Sequence, residues 1–216
     1  MCDVALYRNA LPAQLFRRLV GAVRRVGSER LEESYTTNFW YALGARPRNV
    51  AEEAIVRLRQ LARPGDRCIG AEWWLGRLPY GRSLSLHFDR DVALQSRNGR
   101  IAHPLWSSIL YLNRFPCSPT VILGQVLDRD GETLVPAVPA SGKTIAPEPN
   151  QYVVYRGDLY HGVLAEKAAR KPAGMRLTLL VNYWNRRPLP PVCRDYDGSV
   201  YASLLAAPQR TRHAAG

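Results

Sequence analysis

The stretch Ser83-Leu-Ser-Leu-His-Phe-Asp-Arg-Asp91 decides how the rest of the chain is read. Leu84, Leu86 and Phe88 alternate with Ser83, Ser85, His87 and Asp89, the period-two pattern of a strand with one apolar face. Residues two apart on a strand share a side. His87 and Asp89 are therefore expected to project together, away from the leucines. An imidazole beside a carboxylate is part of a metal site awaiting a third donor. It is also a frequent chance pairing, and a simple hydrogen-bonded His–Asp pair fits equally well. The sequence further along has to decide between them.

On either side of this stretch the chain reads as short strands. Arg67 to Leu75 contains Glu72-Trp73-Trp74, and Pro79-Tyr80-Gly81 turns the chain into the His87 strand. Asn98-Gly99 signals a hairpin or loop. Strands are then expected at Ser107 to Asn113, Thr120 to Leu123, Thr133 to Val138 (after an Asp130-Gly131 turn), Gln151 to Arg156, His161 to Ala165 and Arg176 to Trp184. Ahead of them, Leu11, Leu15, Leu19, Val23 and Val26 recur at helical spacing with arginines on the other side, a core-packing amphipathic helix. Asn49 with Glu52 forms a capping box for a second helix, which runs through Leu58 and Leu61 until Pro64-Gly65 stops it.

Helices first and many short strands after predict a mainly β domain with flanking helices. A single domain over 1–216 is expected, with a helical part at 1–66, a β core at 67–186 and a C-terminal extension at 187–216. After the last strand, Arg186 to Pro191 reads as an extended linker and Arg210 to Gly216 as a frayed tail.

Composition sets the bounds. A chain of 216 residues with 46% hydrophobic and 22% charged residues suits one well-buried core. No apolar run is long enough for a membrane span, and the amino terminus lacks the basic and apolar regions of a signal peptide. Cys2, Cys68, Cys117 and Cys193 are widely spaced, which predicts reduced thiols and a cytoplasmic location. The net charge of +12 comes almost wholly from scattered arginines, a pattern that genome composition explains better than a nucleic-acid footprint. Ala140-Ser-Gly-Lys-Thr144 lacks the first glycine of a phosphate-binding loop, since Ala137 stands there, and the prolines after it bar the required helix.

Of four histidines, His213 lies in the tail, which leaves His87, His103 and His161. His161 opens a late strand in Gly157-Asp-Leu-Tyr-His-Gly-Val163, whereas His103 precedes Pro104 in a loop and is the alternative third donor. Arg176 and Thr178 share one face of the last strand. An arginine aimed into a sheet interior is costly unless an anion meets it. The ordinary partner would be a buried Asp or Glu.

The order His87-x-Asp89, distant His161, then Arg176-x-Thr178, each on an expected strand, resembles the Fe(II)/2-oxoglutarate-dependent oxygenases of the prolyl-hydroxylase-like branch, over about residues 70–186. The resemblance implies a double-stranded β-helix (jelly-roll, cupin-like) core. It also implies Fe(II) on His87, Asp89 and His161, and 2-oxoglutarate on Arg176, Thr178 and Tyr111, the last in a matching Tyr111-Leu112-Asn113. The implied activity is a dioxygenase that consumes O2 and 2-oxoglutarate, releases succinate and CO2, and hydroxylates an aliphatic C–H of an amino acid, peptidyl residue or small metabolite. Related halogenating enzymes carry a small residue in place of Asp89, so oxygen transfer is expected here. The usual Gly-Gly-x-Thr appears as Cys117-Ser-Pro-Thr120, a departure that bears on the substrate. Trp74, or Trp73 on the other face, and the loop Asp128 to Lys143 are candidates to shape the pocket. The partner expected is a small-molecule or peptidyl substrate, with neither nucleic acid nor membrane. The rival readings are an AlkB-like nucleic-acid demethylase and a non-catalytic β-barrel binding module.

Overall fold

The computed structural model describes residues 4–34, 37–129, 131–166, 172–191 and 193–205; Cys2, Asp130, Lys167, Lys171 and the tail from 206, with His213, lie outside the described residues. The elements in order are β1 (Val4–Tyr7), α1 (Ala13–Val26), α2 (Ser28–Glu33), β2 (Asn38–Ala42), α3 (Val50–Ala62), β3 (Gly70–Pro79), β4 (Leu84–His87) and α4 (Val92–Asn98). Then come β5 (Trp106–Tyr111), β6 (Thr120–Leu123), β7 (Val126–Leu127), β8 (Leu134–Val135), β9 (Gly142–Ile145), β10 (Tyr152–Arg156), β11 (His161–Val163), β12 (Met175–Trp184) and β13 (Cys193–Asp195), with a short 3₁₀ turn at Ala202–Leu204.

Among the described residues, seven strands form a major sheet in the order β1-β10-β5-β12-β3-β2-β13, and four form a minor sheet, β4-β11-β6-β9. The two sheets enclose Ile109, Tyr111, Val153 and Tyr155 from the major sheet and Ile122 and Ile145 from the minor one. The other face of the major sheet is covered by α1 and α3, whose Leu19, Val23, Ala54 and Leu58 pack with Trp73, Leu75, Leu179 and Val181. This is the mainly β, jelly-roll architecture with flanking helices that the sequence predicts.

The amphipathic spacing is realised in α1. The Asn49 side chain caps α3, accepting from the backbone N–H of Ala51 and Glu52 at 2.9 and 3.0 Å. The expected box closes one residue early: the Glu52 carboxylate accepts from the N–H of Arg48, not of Asn49, at 2.6 Å.

Several expectations are corrected. The segment 1–66 is not purely helical, because β1 pairs with β10 and β2 pairs with β3 in the major sheet. Phe39, Trp40 and Tyr41 of β2 are all buried, so the strand carries no alternation to betray it. The extension beyond 186 also joins that sheet, β13 running parallel to β2. Of the hairpin or loop expected at Asn98-Gly99, a loop forms, entered from the end of α4. Thr133 to Val138 shrinks to β8, paired with β7, and β9 forms where no strand was expected. Finally, β4 stops at His87, and the supposed apolar face is not core: Leu86 is 38% exposed.

Candidate metal centre

Strands β4 and β11 are antiparallel neighbours, and His87 stands directly opposite His161. Their ring centroids are 4.4 Å apart. Each Nδ1 lies 2.8 Å from the carbonyl oxygen two residues earlier, Ser85 for His87 and Leu159 for His161. A carbonyl only accepts, so each Nδ1 carries the proton and each Nε2 presents its lone pair. Burial holds the His161 imidazole below its usual range, against the pull of the Asp89 carboxylate, which favours the neutral ring a metal needs.

Asp89 completes the group from the loop after β4. Its Oδ1 is 3.9 Å from His87 Nε2 and its Oδ2 is 3.6 Å from His161 Nε2. Ser107 Oγ donates to Oδ2 at 2.6 Å and turns the carboxylate toward the rings. The three donor atoms lie within 4.8 Å of one another, so one ion can reach all of them once the side chains turn slightly inward. Two neutral imidazoles and one carboxylate on one face are the donor set of non-haem Fe(II) sites with open positions.

Beside this group lies a cavity of about 130 Å³, bounded among others by Trp74, Leu84, Val163 and Leu180. Its far end is polar. Arg176 is only 6% exposed. Its Nη2 donates to Thr120 Oγ1 at 2.8 Å, and the Tyr111 hydroxyl donates to the same oxygen at 2.7 Å. The guanidinium carbon sits 5.2 Å from the Tyr111 ring centre. Burial pushes the Tyr111 hydroxyl up, with Arg176 pulling the other way, so the group stays a donor. Arg176 Nε and Thr178 Oγ1 are buried without partners. No carboxylate among the described residues forms an ion pair with Arg176, so the ordinary Asp or Glu partner is missing. Orphaned donors converging on one end of a cavity are what a small carboxylate would satisfy.

The structure thus brings together His87, Asp89 and His161, and beside them Arg176, Thr178 and Tyr111. Trp74 lines the cavity, whereas Trp73 faces the other way and packs 4.8 Å from Phe39. None of the described residues of Asp128 to Lys143 lines it. His103 stays outside the donor group, its Nδ1 2.7 Å from the backbone carbonyl of Asp89. Two contributors escaped the sequence reading. Thr120 stands in the sequence as the start of a strand and the end of a departing motif, with no sign that it is the shared acceptor of Arg176 and Tyr111. Ser107 carries no local signal at all, because its partner is eighteen residues away. On the same face of β3 as Trp74, Glu72 accepts from Asn38 Nδ2 at 2.7 Å and Trp184 Nε1 at 3.0 Å. Burial pushes its carboxyl up to about 7.

No family model matches the sequence, and no curated protein does. Among solved structures the chain is similar to a prolyl-4-hydroxylase from Pseudomonas putida, at 18% identity over 87% of this chain and 90% of that one, with a TM-score of 0.50. It is similar to AviO1 from Streptomyces viridochromogenes Tue57 at 18% identity, over 88% and 92%, with a TM-score of 0.52. HygX from Streptomyces hygroscopicus, solved with iron bound, matches at 13% identity over 85% and 82%, also with a TM-score of 0.52. At such identities what is shared is the fold, a jelly roll like that of the prolyl-4-hydroxylase.

Proposed function

We propose that the protein is an Fe(II)/2-oxoglutarate-dependent dioxygenase that hydroxylates an aliphatic C–H of an amino acid, a peptidyl residue or another small metabolite. One observation carries this reading: a two-imidazole, one-carboxylate group stands beside a buried arginine that no carboxylate among the described residues meets. The first suits iron and the second suits the distal carboxylate of 2-oxoglutarate. HygX, which has the same fold, was solved with iron bound.

Each residue then has a task. The Nε2 atoms of His87 and His161 and the carboxylate of Asp89 hold the ion, their orientations fixed by Ser85, Leu159 and Ser107. Arg176 takes the distal carboxylate as a charge-assisted pair, with Thr120 and Thr178 supplying further hydrogen bonds and Tyr111 another once its hydroxyl turns from Thr120. Ile109, Val163 and Leu180 keep water from the cavity between these two ends. Trp74 and Leu84 form the wall a substrate would meet. When bound, iron and 2-oxoglutarate supply O2 activation, with succinate and CO2 released. The Asp89 carboxylate would hold the ion with its own negative charge where a halide would otherwise bind, which favours oxygen transfer over halogenation. The free, buried Cys68, Cys117 and Cys193 are in keeping with a reducing cytoplasm. Among the described residues no helix is long and apolar enough to cross a membrane.

The test is turnover of 2-oxoglutarate to succinate by the purified protein with Fe(II) and O2. Succinate should form with the wild type, and His161→Ala should abolish it while the fold survives. Equal turnover in the variant would remove His161 from the site.

A further inference from the structure

His87 and His161 are placed by the sheet, because they face each other across two hydrogen-bonded strands. Asp89 has no such support. It lies two residues past the end of β4, where the ladder no longer fixes the backbone. Ser107 turns its carboxylate, but a side-chain bond alone does not set the position of the main chain that carries it.

We infer that His103 is the positioning residue for Asp89, a role that rests on reading Asp89 as a metal ligand. Its Nδ1 is 2.7 Å from the Asp89 carbonyl oxygen. That oxygen can only accept, so Nδ1 carries the proton and donates. A second rung runs beside it, from the Asp91 N–H to the Ala102 carbonyl at 2.9 Å. The segment 102–103 therefore grips the ligand loop on both sides of Arg90. The His103 ring also meets Phe88 edge-on at 5.8 Å, and Phe88 stacks on Tyr160 at 4.8 Å, which restrains the residue between the two ligands.

A grip positions only if it is itself anchored. The Leu105 N–H donates to the Tyr183 carbonyl at 2.7 Å, tying the 102–105 loop to the end of β12. Pro104 presses its carbonyl against Gly157 so closely that a Cβ there would collide with it. On the far side of the ligand loop, the Asp91 carboxylate accepts from the Leu94 and Leu189 N–H groups and from Arg186. Asp89 thus sits between fixed points, and His103 is the side chain that sets its backbone. Groups that orient metal ligands in this way commonly change metal affinity ten- to a hundredfold when removed.

The experiment is a Co(II) titration of the full chain, followed by visible absorption, alongside thermal melting of the metal-free protein. His103→Phe keeps the ring and its contact with Phe88 but loses the donor, and His103→Asn returns a donor near the Nδ1 position. His103→Phe should weaken Co(II) binding about tenfold or more and alter the absorption bands. His103→Asn should recover most of both, and the metal-free variants should melt like the wild type. A second measurement needs no variant: in histidine-labelled NMR spectra of the wild type, the His103 Nδ1 proton should be protected from exchange and should shift when Zn(II) is added. Wild-type affinity and absorption in His103→Phe would overturn the role, as would a His103 proton indifferent to Zn(II), while leaving the iron reading intact. A wild-type protein that binds no Co(II) would overturn the iron reading and this role with it.

Discussion

Arg176 brings a full charge inside the fold, where it donates to a threonine hydroxyl and meets no carboxylate among the described residues. Burying a guanidinium on such terms costs several kcal/mol, which a ligand carboxylate would offset. Truncating one side of a buried charge pair costs about 2–5 kcal/mol, so Arg176→Ala should raise the apparent constant for 2-oxoglutarate about thirtyfold or more. Steady-state titration of the cosubstrate measures it, and an unchanged constant would remove Arg176 from the site. Glu72 makes a different prediction. Burial pushes its carboxyl up to about 7, Asp89 and Asp91 push the same way, and the bonds from Asn38 and Trp184 oppose them. The folded protein therefore keeps a proton that the unfolded chain gives up near its ordinary carboxylate range. The stabilising contribution is fully present below that range and is lost as pH rises through about 7, on the order of 3 kcal/mol. Gln at 72 carries no charge but turns an amide toward one of the two donors, a penalty that does not change with pH. The melting temperature of metal-free Glu72→Gln relative to wild type should therefore rise from about pH 5 to about pH 8.5. A difference that stays flat across that range would show that Glu72 is not the buried titrating group described.

At the scale of the element, β12 carries the site by simple alternation. Arg176, Thr178 and Leu180 face the cavity, while Leu177, Leu179 and Val181 face the helices. Across from Thr178 stands Gly76 of β3, and a Cβ there would collide with the Thr178 hydroxyl and with Leu180. Gly76→Ala should thus crowd the cosubstrate end of the cavity and weaken 2-oxoglutarate binding about tenfold, with Fe(II) affinity kept. Calorimetric titration of both ligands decides it, and wild-type binding of 2-oxoglutarate would show the cavity to be wider than drawn. Elements with a clean period were legible in the sequence: α1 and α3 by helical spacing, and the start of β12 by alternation. The rest lacked such a signal. Strand β2 is buried on both faces, β9 is an edge strand with three of its four residues exposed, and β4 is too short for its pattern to report burial. The candidate site was legible where side chains two apart share a face, as in Arg176 and Thr178. Ser107, Thr120 and His103 act on partners brought near only by folding, and no spacing announces them.

At the scale of the whole molecule, the sheets divide the labour. The major sheet carries Arg176, Thr178 and Tyr111 against a helix-backed core, and the minor sheet and its loop carry His87, His161 and Asp89. Cosubstrate and metal would thus be held from opposite layers, and the cavity between them is where both must meet. The expected division at 67 and 186 blurs here, since β1, β2 and β13 all extend the major sheet. The claim that these layers hold iron and 2-oxoglutarate together is tested most directly by anaerobic calorimetry, titrating 2-oxoglutarate into Fe(II)-loaded wild type, His161→Ala and Arg176→Ala. The expected result is one bound Fe(II) and one bound 2-oxoglutarate per wild-type chain, both lost in His161→Ala, with iron kept but 2-oxoglutarate bound about thirtyfold or more weakly in Arg176→Ala. Binding of 2-oxoglutarate that is indifferent to iron and to both substitutions would contradict it.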